Sequence, residues 1–199
     1  IENTTNKGGG ACWDLGELRQ IKKVCKTHGL AYHLDGARIF NALIEKKESP
    51  ESYGELFDTI SICLSKGLGA PVGSVLVGSK KHMQKALRIR KLFGGAMRQV
   101  GYLAAAGIYA LDHHVNRLAD DHKRARILGE TLSGLSYVQG VEKVETNILI
   151  FNLNKNVDEK RFLNYLKENH IFIIGMGEGK LRMVTHLDFD DRMMEETIR

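Results

Sequence analysis

Hydrophobic and polar positions recur along this chain with two different periods, which separate predicted helices from predicted strands. Asp14 and Glu17 form a capping-box pair, and apolar residues then keep helical spacing from Leu18 until Gly29. Further helices are predicted at 38–46, 80–93, most of 99–133, 158–169 and after residue 188. Strands are predicted at 30–35, 57–64, 73–77, 147–153, 171–174 and 180–185.

Strands that alternate with helices predict an α/β fold with a largely parallel sheet covered on both faces. The helical stretch 99–133 is long enough to connect two units, so we predict a larger domain at 1–110 and a smaller α+β domain at 111–199. Ligands of parallel sheets gather at the carboxyl ends of the strands. Asp35 and Lys66 both fall at such ends, on strands joined by one crossover, and this edge is therefore the candidate site.

Composition narrows the class of protein. The 199 residues carry a formal net charge of +5, and the 29 basic residues are spread among 24 acidic ones without a long basic run. This spread indicates a solvated surface, so we predict no nucleic-acid partner. No apolar run approaches the roughly eighteen residues that span a bilayer. The three cysteines are widely spaced without a C-x-x-C pair, which predicts no metal site and a cytoplasmic location.

Lys66 is the first candidate for chemistry, in a small-residue turn between Ser65 and Gly67. A lysine amine attacks a carbonyl group only when it is neutral, and burial or neighbouring cations lower its pKa toward that state. Small neighbours also let a flat ligand approach. The alternative is a surface turn, which is the more common role of this short motif.

Asp35 is the second candidate. A carboxylate at a buried strand end needs a partner, because leaving it unpaired costs several kcal/mol. A protonated pyridine nitrogen is one such partner, and the pair makes the ring an electron sink. The alternative is that Asp35 caps the turn at 36–38 or pairs with Arg38.

Arg38 and Arg182 are the third candidate feature. Arg182 lies in a predicted strand between Leu181 and Met183, whose side chains point to the opposite face, so its guanidinium group needs a specific partner. Two planar guanidinium groups can bind one carboxylate with bidentate geometry. Surface ion pairing is the alternative for each arginine.

Five segments together resemble the low-specificity threonine aldolases, which are pyridoxal-phosphate (PLP) enzymes of the aspartate aminotransferase-like fold, fold type I. The segments are HLDGARIFNA at 33–42, LSKGLGAPVGS at 64–74, GGAMRQ at 94–99, ETN at 145–147 and LRMVTH at 181–186. The resemblance runs from residue 2 to the end of the chain in the same order. It implies a PLP-binding large domain followed by the small domain.

The resemblance also implies roles for single residues. Lys66 resembles the lysine that binds PLP covalently, and Asp35 the partner of the pyridine nitrogen. Arg38 and Arg182 resemble the pair near the cofactor that binds the carboxylate of the amino acid. Arg98 resembles a residue that contacts the cofactor phosphate, and Lys91 resembles a cation at the entrance of the pocket. His33 shares a strand face with Asp35 and is expected to be a packed core histidine, with a place beside the pocket as the alternative.

One departure from the family is large. Family members carry a substantial segment before the Glu-Asn-Thr stretch at 2–4, which in the family supplies the phosphate loop and a histidine that stacks on the ring. The chain starts at Ile1 without an initiator Met and ends at Arg199 within a helical pattern. We therefore expect a piece of a longer protein, and we expect the 199-residue chain alone to be a poor catalyst or none.

The implied reaction is retro-aldol cleavage of threonine, allo-threonine and related β-hydroxy-α-amino acids to glycine and an aldehyde. A different PLP reaction on amino acids, β-elimination or transamination, is the alternative because Lys66 and Asp35 serve it equally. A non-catalytic fragment that keeps the fold is a third possibility. The family further implies a homo-oligomer, a dimer or tetramer.

Overall fold

This computed structural model describes residues 1–199, which form eight helices and seven strands. The helices are α1 (Leu15–Thr27), α2 (Ile39–Lys46), α3 (Pro50–Leu56), α4 (Lys80–Leu92), α5 (Gly101–His113), α6 (Leu118–Ser133), α7 (Glu159–Glu168) and α8 (Asp191–Ile198). The strands are β1 (His33–Gly36), β2 (Thr59–Cys63), β3 (Ser74–Gly78), β4 (Val138–Val141), β5 (Ile148–Leu153), β6 (Ile174–Gly177) and β7 (Lys180–Val184). None of the helices combines the length and the apolar character that crossing a membrane requires.

The chain divides into two compact units. The first contains residues 1–4 and 12–117, and the second contains 5–11 and 118–199. The boundary predicted between residues 110 and 111 falls inside α5, whereas the units separate between Arg117 and Leu118. The short segment 5–11 packs with the second unit although it lies near the start of the chain.

The sheet of the first unit has the order β1-β2-β3. β1 and β2 are parallel, as predicted, but β2 and β3 are antiparallel, so the prediction of a largely parallel sheet is wrong for this pair. The connection between β2 and β3 spans only residues 64–73 and contains no helix, and a parallel pair requires a longer crossover. Residues 1–3 extend the other edge, because the Asn3 amide donates to the Asp35 carbonyl at 3.0 Å and the Asp35 amide donates to the Ile1 carbonyl at 2.8 Å.

The core of the first unit lies beside β1 and β2. α1 begins with the predicted capping box of Asp14 and Glu17, which aligns the helix so that Leu18 is fully buried. The Tyr32 ring stacks on the Phe57 ring with centroids 4.2 Å apart. Burying a large apolar side chain contributes about 1.5–3 kcal/mol, so this cluster stabilises the unit.

Two features of the first unit differ from the sequence prediction. α3 was not predicted, since it has seven residues and only two of them, Tyr53 and Leu56, are buried, which leaves no helical period to detect. β3 is exposed along its whole length, so the expectation of a sheet covered on both faces is wrong at this edge.

The second unit contains an antiparallel sheet with the order β4-β5-β7-β6 beside helices, the predicted α+β arrangement. β4 was not predicted, and β6 begins at Ile174, three residues after the predicted start. One face of the sheet forms an apolar cluster that contains Leu149, Phe151, Leu153 and Leu181. The opposite face carries buried Ile148 and Ile150 and, from β7, Arg182.

Candidate active site

Asp35 and Lys66 lie near the carboxyl ends of two adjacent parallel strands. Asp35 is one residue from the end of β1 and pairs in register with Ser61 of β2. Lys66 follows three residues after Cys63, the last residue of β2. Because parallel strands end at the same edge of a sheet, the sequence correctly predicted that these two positions belong to one edge.

The turn that carries Lys66 is fixed by backbone hydrogen bonds. The Gly69 amide donates to the Lys66 carbonyl at 2.8 Å, and the Ala70 amide donates to the Leu64 carbonyl at 3.0 Å. Gly69 has φ of 71°, a left-handed conformation that glycine adopts without a steric penalty. The apolar side chains of Leu64 and Leu68 are buried, while Lys66 is exposed. The turn therefore presents the lysine on a fixed backbone.

The Lys66 side chain faces a small crevice. Its walls are Arg38 and its neighbours at the start of α2, together with Cys63 and the turn at 66–68. The Lys66 amine is 3.0 Å from the Cys63 sulfur. The crevice thus brings together two of the predicted site residues, Lys66 and Arg38.

His114 supports the same turn and was missed by the sequence analysis. Its ring nitrogen Nδ1 is 2.6 Å from the Leu68 carbonyl oxygen, and because a carbonyl only accepts, Nδ1 carries the proton and donates. His114 follows the end of α5, and Gly107 in this helix allows close packing, since a Cβ there would lie 2.9 Å from Cδ1 of Leu64. No local signal in the sequence connects residue 114 with residue 68.

Asp35 is exposed rather than buried at its strand end. Its carboxylate oxygen Oδ1 accepts a hydrogen bond from the Ala37 amide at 3.1 Å, which is the turn-capping role that the sequence left open as the alternative. This contact uses one carboxylate oxygen. The second oxygen can accept from a ligand at the same time.

His33 is exposed on the same face of β1 as Asp35, so the expectation of a packed core histidine is wrong. Its Nδ1 is 2.8 Å from the Thr59 hydroxyl on the neighbouring strand. Alternation along β1 buries Leu34 and Gly36 instead and leaves both polar side chains on the open face.

Lys91 lies on the last turn of α4 and Arg98 in the turn just before α5, and both residues are exposed. Neither residue lines the crevice beside Lys66. Their predicted roles near a cofactor rest on the sequence.

Arg182 lies in the middle of β7, in the second unit. Its Nη1 donates to the side-chain oxygen of Asn6 at 2.7 Å. Its Nε is buried and has no hydrogen-bond partner, and no carboxylate of the chain forms an ion pair with it. The structure therefore does not support the alternative in which Arg182 forms a surface ion pair. The Arg182 side chain is only partly buried, and a guanidinium group without an ion pair can bind an anion through its remaining donors.

Comparison with known proteins gives the family. The model of the family described as "Beta-eliminating lyase" matches residues 1–156. The chain belongs to this family. Lys66, Asp35 and Arg38 fall within the matched part, and Arg182 lies beyond it.

Several relatives of this chain are named threonine aldolases. The chain is 38% identical over 196 residues to the low specificity L-threonine aldolase of Escherichia coli, covering 98% of this chain and 56% of that protein. It is 38% identical over 189 residues to low-specificity L-threonine aldolase 1 of Arabidopsis thaliana, covering 94% and 53%. The chain therefore spans little more than half the length of these curated relatives.

Solved structures support the fold. A threonine aldolase from Leishmania major superposes with a TM-score of 0.80 at 23% identity, covering the whole of this chain and 58% of that one. A histidinol-phosphate aminotransferase from Clostridium acetobutylicum superposes with a TM-score of 0.70 at 16% identity. The chain has the fold that these enzymes share, as the fold type I prediction stated.

Proposed function

We propose that this chain contains the PLP-attachment and carboxylate-binding parts of an enzyme that cleaves threonine, allo-threonine and related β-hydroxy-α-amino acids into glycine and an aldehyde. The observation that carries the proposal is the placement of Asp35 and Lys66 at the same edge of the sheet, where the adjacent parallel strands β1 and β2 end. The names of the relatives support the same activity.

The residues present fit PLP by the chemistry of their side chains. Lys66 provides an exposed primary amine on a fixed turn, and Asp35 provides a carboxylate with one oxygen left for a ring proton. Arg182 provides a guanidinium group whose buried Nε is unpartnered. An aldehyde, a protonated ring nitrogen and a substrate carboxylate are the groups that these three side chains bind.

PLP, when bound, supplies an aldehyde that condenses with amines and a ring that withdraws electrons from the bonds at the substrate Cα. In our proposal Lys66 supplies the amine that holds the cofactor, and Asp35 keeps the proton on the ring nitrogen. Arg98 binds the cofactor phosphate and Lys91 adds positive charge at the entrance. His33 stays a candidate pocket residue because it shares the open face of β1 with Asp35.

Arg182 binds the substrate carboxylate in this proposal, and Arg38 is the second carboxylate ligand by the resemblance. Holding the carboxylate fixes the rotation about the bond between the amine and Cα. This orientation decides which bond at Cα is broken, and alignment of the Cα–Cβ bond gives the aldehyde. Orientation therefore selects cleavage over loss of the Cα proton.

The test is a product assay on the longest natural chain that carries these 199 residues, and on the 199-residue chain itself. Each is incubated with PLP and either L-threonine or L-allo-threonine, and acetaldehyde and glycine are measured. We expect equal amounts of both products from the longest chain, none from Lys66→Ala, and little or none from 199 residues alone. Absence of acetaldehyde from a longest chain that binds PLP would overturn the proposed reaction.

β-Elimination is the second candidate, and the description of the matching family favours it. Lys66 and Asp35 serve both reactions, so the products distinguish them. Serine or cysteine converted to a keto acid and ammonia, without aldehyde from threonine, would support elimination. A chain that does not bind PLP at all would support a non-catalytic role.

We further propose a cytoplasmic homo-oligomer, a dimer or tetramer. The three cysteines are free, which is typical of a reducing compartment. The first unit exposes large apolar side chains, among them Leu92, Phe93 and Tyr102, of which Phe93 is 87% and Tyr102 88% exposed. Exposed apolar residues of this size favour a protein interface. Sedimentation of the longest natural chain as a monomer only would contradict this proposal.

A further inference from the structure

The side chain of Asn6 makes the one hydrogen bond that holds the Arg182 guanidinium group. We propose that Asn6 is a positioning residue, which fixes Arg182 through Nη1 and leaves the other donors of the guanidinium group for the substrate carboxylate. This inference rests on the proposed function, in which Arg182 binds that carboxylate. Asn6 itself does not contact the substrate.

The loop 5–11 that carries Asn6 is closed by its own backbone. The Thr5 amide donates to the Ala11 carbonyl at 3.1 Å, and the Gly10 amide donates to the Thr5 carbonyl at 2.8 Å. The loop is therefore a compact turn with a defined shape. The backbone position from which the Asn6 side chain extends is therefore fixed.

The same loop is anchored to the sheet of the second unit. The buried Thr146 hydroxyl donates to the Gly10 carbonyl at 2.8 Å. Gly9 lies over Ile150, because a Cβ at Gly9 would be 3.6 Å from Cδ1 of that residue. Ile150 is the cross-strand partner of Arg182, so both side chains lie on this face of the sheet. The loop thus brings Asn6 to the face from which Arg182 projects.

Arg182 is a cation on this face of the sheet that has no anionic partner. Lys180, two residues earlier on the same face of β7, forms an ion pair with Glu142 at 2.6 Å. Arg182 has the neutral amide oxygen of Asn6 instead. Its partly buried guanidinium group has no carboxylate beside it, and a bound substrate carboxylate would supply that partner.

The choice of asparagine has a physical reason. An amide oxygen accepts a hydrogen bond from the guanidinium group without cancelling its charge, whereas a carboxylate at position 6 would compete with the substrate. The contact also assigns the amide, because every Arg182 nitrogen donates and the atom that meets Nη1 must be the oxygen. Asn6 therefore orients the arginine while preserving its attraction for an anion.

Four variants of the longest natural chain test the proposal: Asn6→Ala, Asn6→Asp, Arg182→Lys and the control Asn152→Ala. Asn152 lies on β5 and pairs in register with Lys180, two residues before Arg182 in β7. The Asn152 side chain forms no hydrogen bond with Arg182. We expect Asn6→Ala to raise KM for L-threonine about tenfold, the usual effect of losing a hydrogen bond to a charged group, with kcat changed little. The control should leave KM unchanged.

Asn6→Asp separates orientation from charge. It keeps an acceptor at the same position, so the side chain of Arg182 stays ordered, but it neutralises the charge and should also raise KM. The ordering of the Arg182 side chain is measured from the 15N-edited NMR signal of its Nε–H group in the 199-residue chain. We expect a slowly exchanging signal in the wild type and in Asn6→Asp, and a rapidly exchanging one in Asn6→Ala.

The outcomes distinguish this inference from the proposed function. If Arg182→Lys raises KM while Asn6→Ala changes neither KM nor the Nε–H signal, the carboxylate site stands and the role of Asn6 is refuted. If Arg182→Lys leaves KM unchanged, the carboxylate site itself is refuted. If Asn6→Ala fails to fold, Asn6→Asp alone decides, and an unaltered KM in that variant would overturn the inference.

Discussion

The Lys66 amine donates a hydrogen bond to the Cys63 sulfur, 3.0 Å away across the turn that ends β2. A thiol is a weak acceptor, so this contact holds the amine at the crevice without the strong attraction of a carboxylate. The lysine can therefore leave Cys63 for another partner at low cost. This arrangement suits a residue whose role is to bind a ligand.

Lys66 is expected to be the residue that PLP modifies in the longest natural chain. Reduction with borohydride after addition of PLP should place a stable adduct on Lys66, because its turn presents an exposed amine on a fixed backbone. Mass spectrometry of peptides locates the adduct. Lys66→Ala should lose it, whereas Lys85→Ala, on the exposed surface of α4, should keep it. An adduct of undiminished yield in Lys66→Ala would assign the site to another lysine.

His114 is expected to hold the turn that carries Lys66. His114→Phe keeps a ring of similar size but removes the donor to the Leu68 carbonyl, and an unsatisfied buried carbonyl costs about 1–3 kcal/mol. Hydrogen exchange at the Gly69 and Ala70 amides should become faster, since both amides close this turn. His114→Asn restores a donor and should recover part of the protection. Equal exchange in His114→Phe and the wild type would show that the contact is dispensable.

Gly10→Ala is expected to destabilise the second unit by about 1–3 kcal/mol, because a left-handed backbone and a steric conflict act together. Gly10 has φ of 75°, and a Cβ there would collide with the Thr146 hydroxyl and lie 3.2 Å from Cβ of Ile148. Gly177→Ala is the matched control, with φ of 91° and no atom within 4 Å of its Cβ position. Denaturant unfolding measures both variants. If Gly10→Ala loses no more free energy of unfolding than the control, the loop 5–11 can move away from Thr146 and Ile148 without cost.

Asp58 is expected to make stability depend on pH in the acid range. The Tyr32 amide donates to its carboxylate at 2.7 Å and, with Lys22 3.6 Å away, holds the pKa of Asp58 below the ordinary 3.8. A lowered folded-state pKa gives stabilisation that is present above 3.8 and is lost as the pH falls through the folded-state value. Asp58→Asn should therefore lower the unfolding midpoint at pH 7 more than at pH 2. An equal loss at both pH values would rule out this ionic contribution.

Local sequence patterns were sufficient for most of the elements. The capping box before Leu18 and the apolar periods of α4, α7 and β5 each depend on residues a few positions apart, so they are visible in the sequence. The prediction that Asp35 and Lys66 lie at one edge of the sheet was also correct. The family segments then linked these positions to one chemistry.

Long-range contacts decided the rest. The antiparallel pairing of β3, the exposure of His33 and the boundary after Arg117 depend on which surfaces meet in the folded chain. The hydrogen bond between Asn6 and Arg182 joins residues 176 positions apart, and that between His114 and Leu68 joins residues 46 apart. No period or spacing in the sequence encodes such pairs.

The sequence by itself determined most of the helices and strands, though not α3 and β4, and the residues able to supply an amine, a carboxylate and guanidinium groups. Those properties follow from side-chain chemistry and from short-range periodicity. The tertiary structure alone decided that Lys66 faces a crevice and that Arg182 keeps an unpartnered Nε under a glycine-rich loop. The reason is that burial and the satisfaction of hydrogen bonds are set by packing between distant segments.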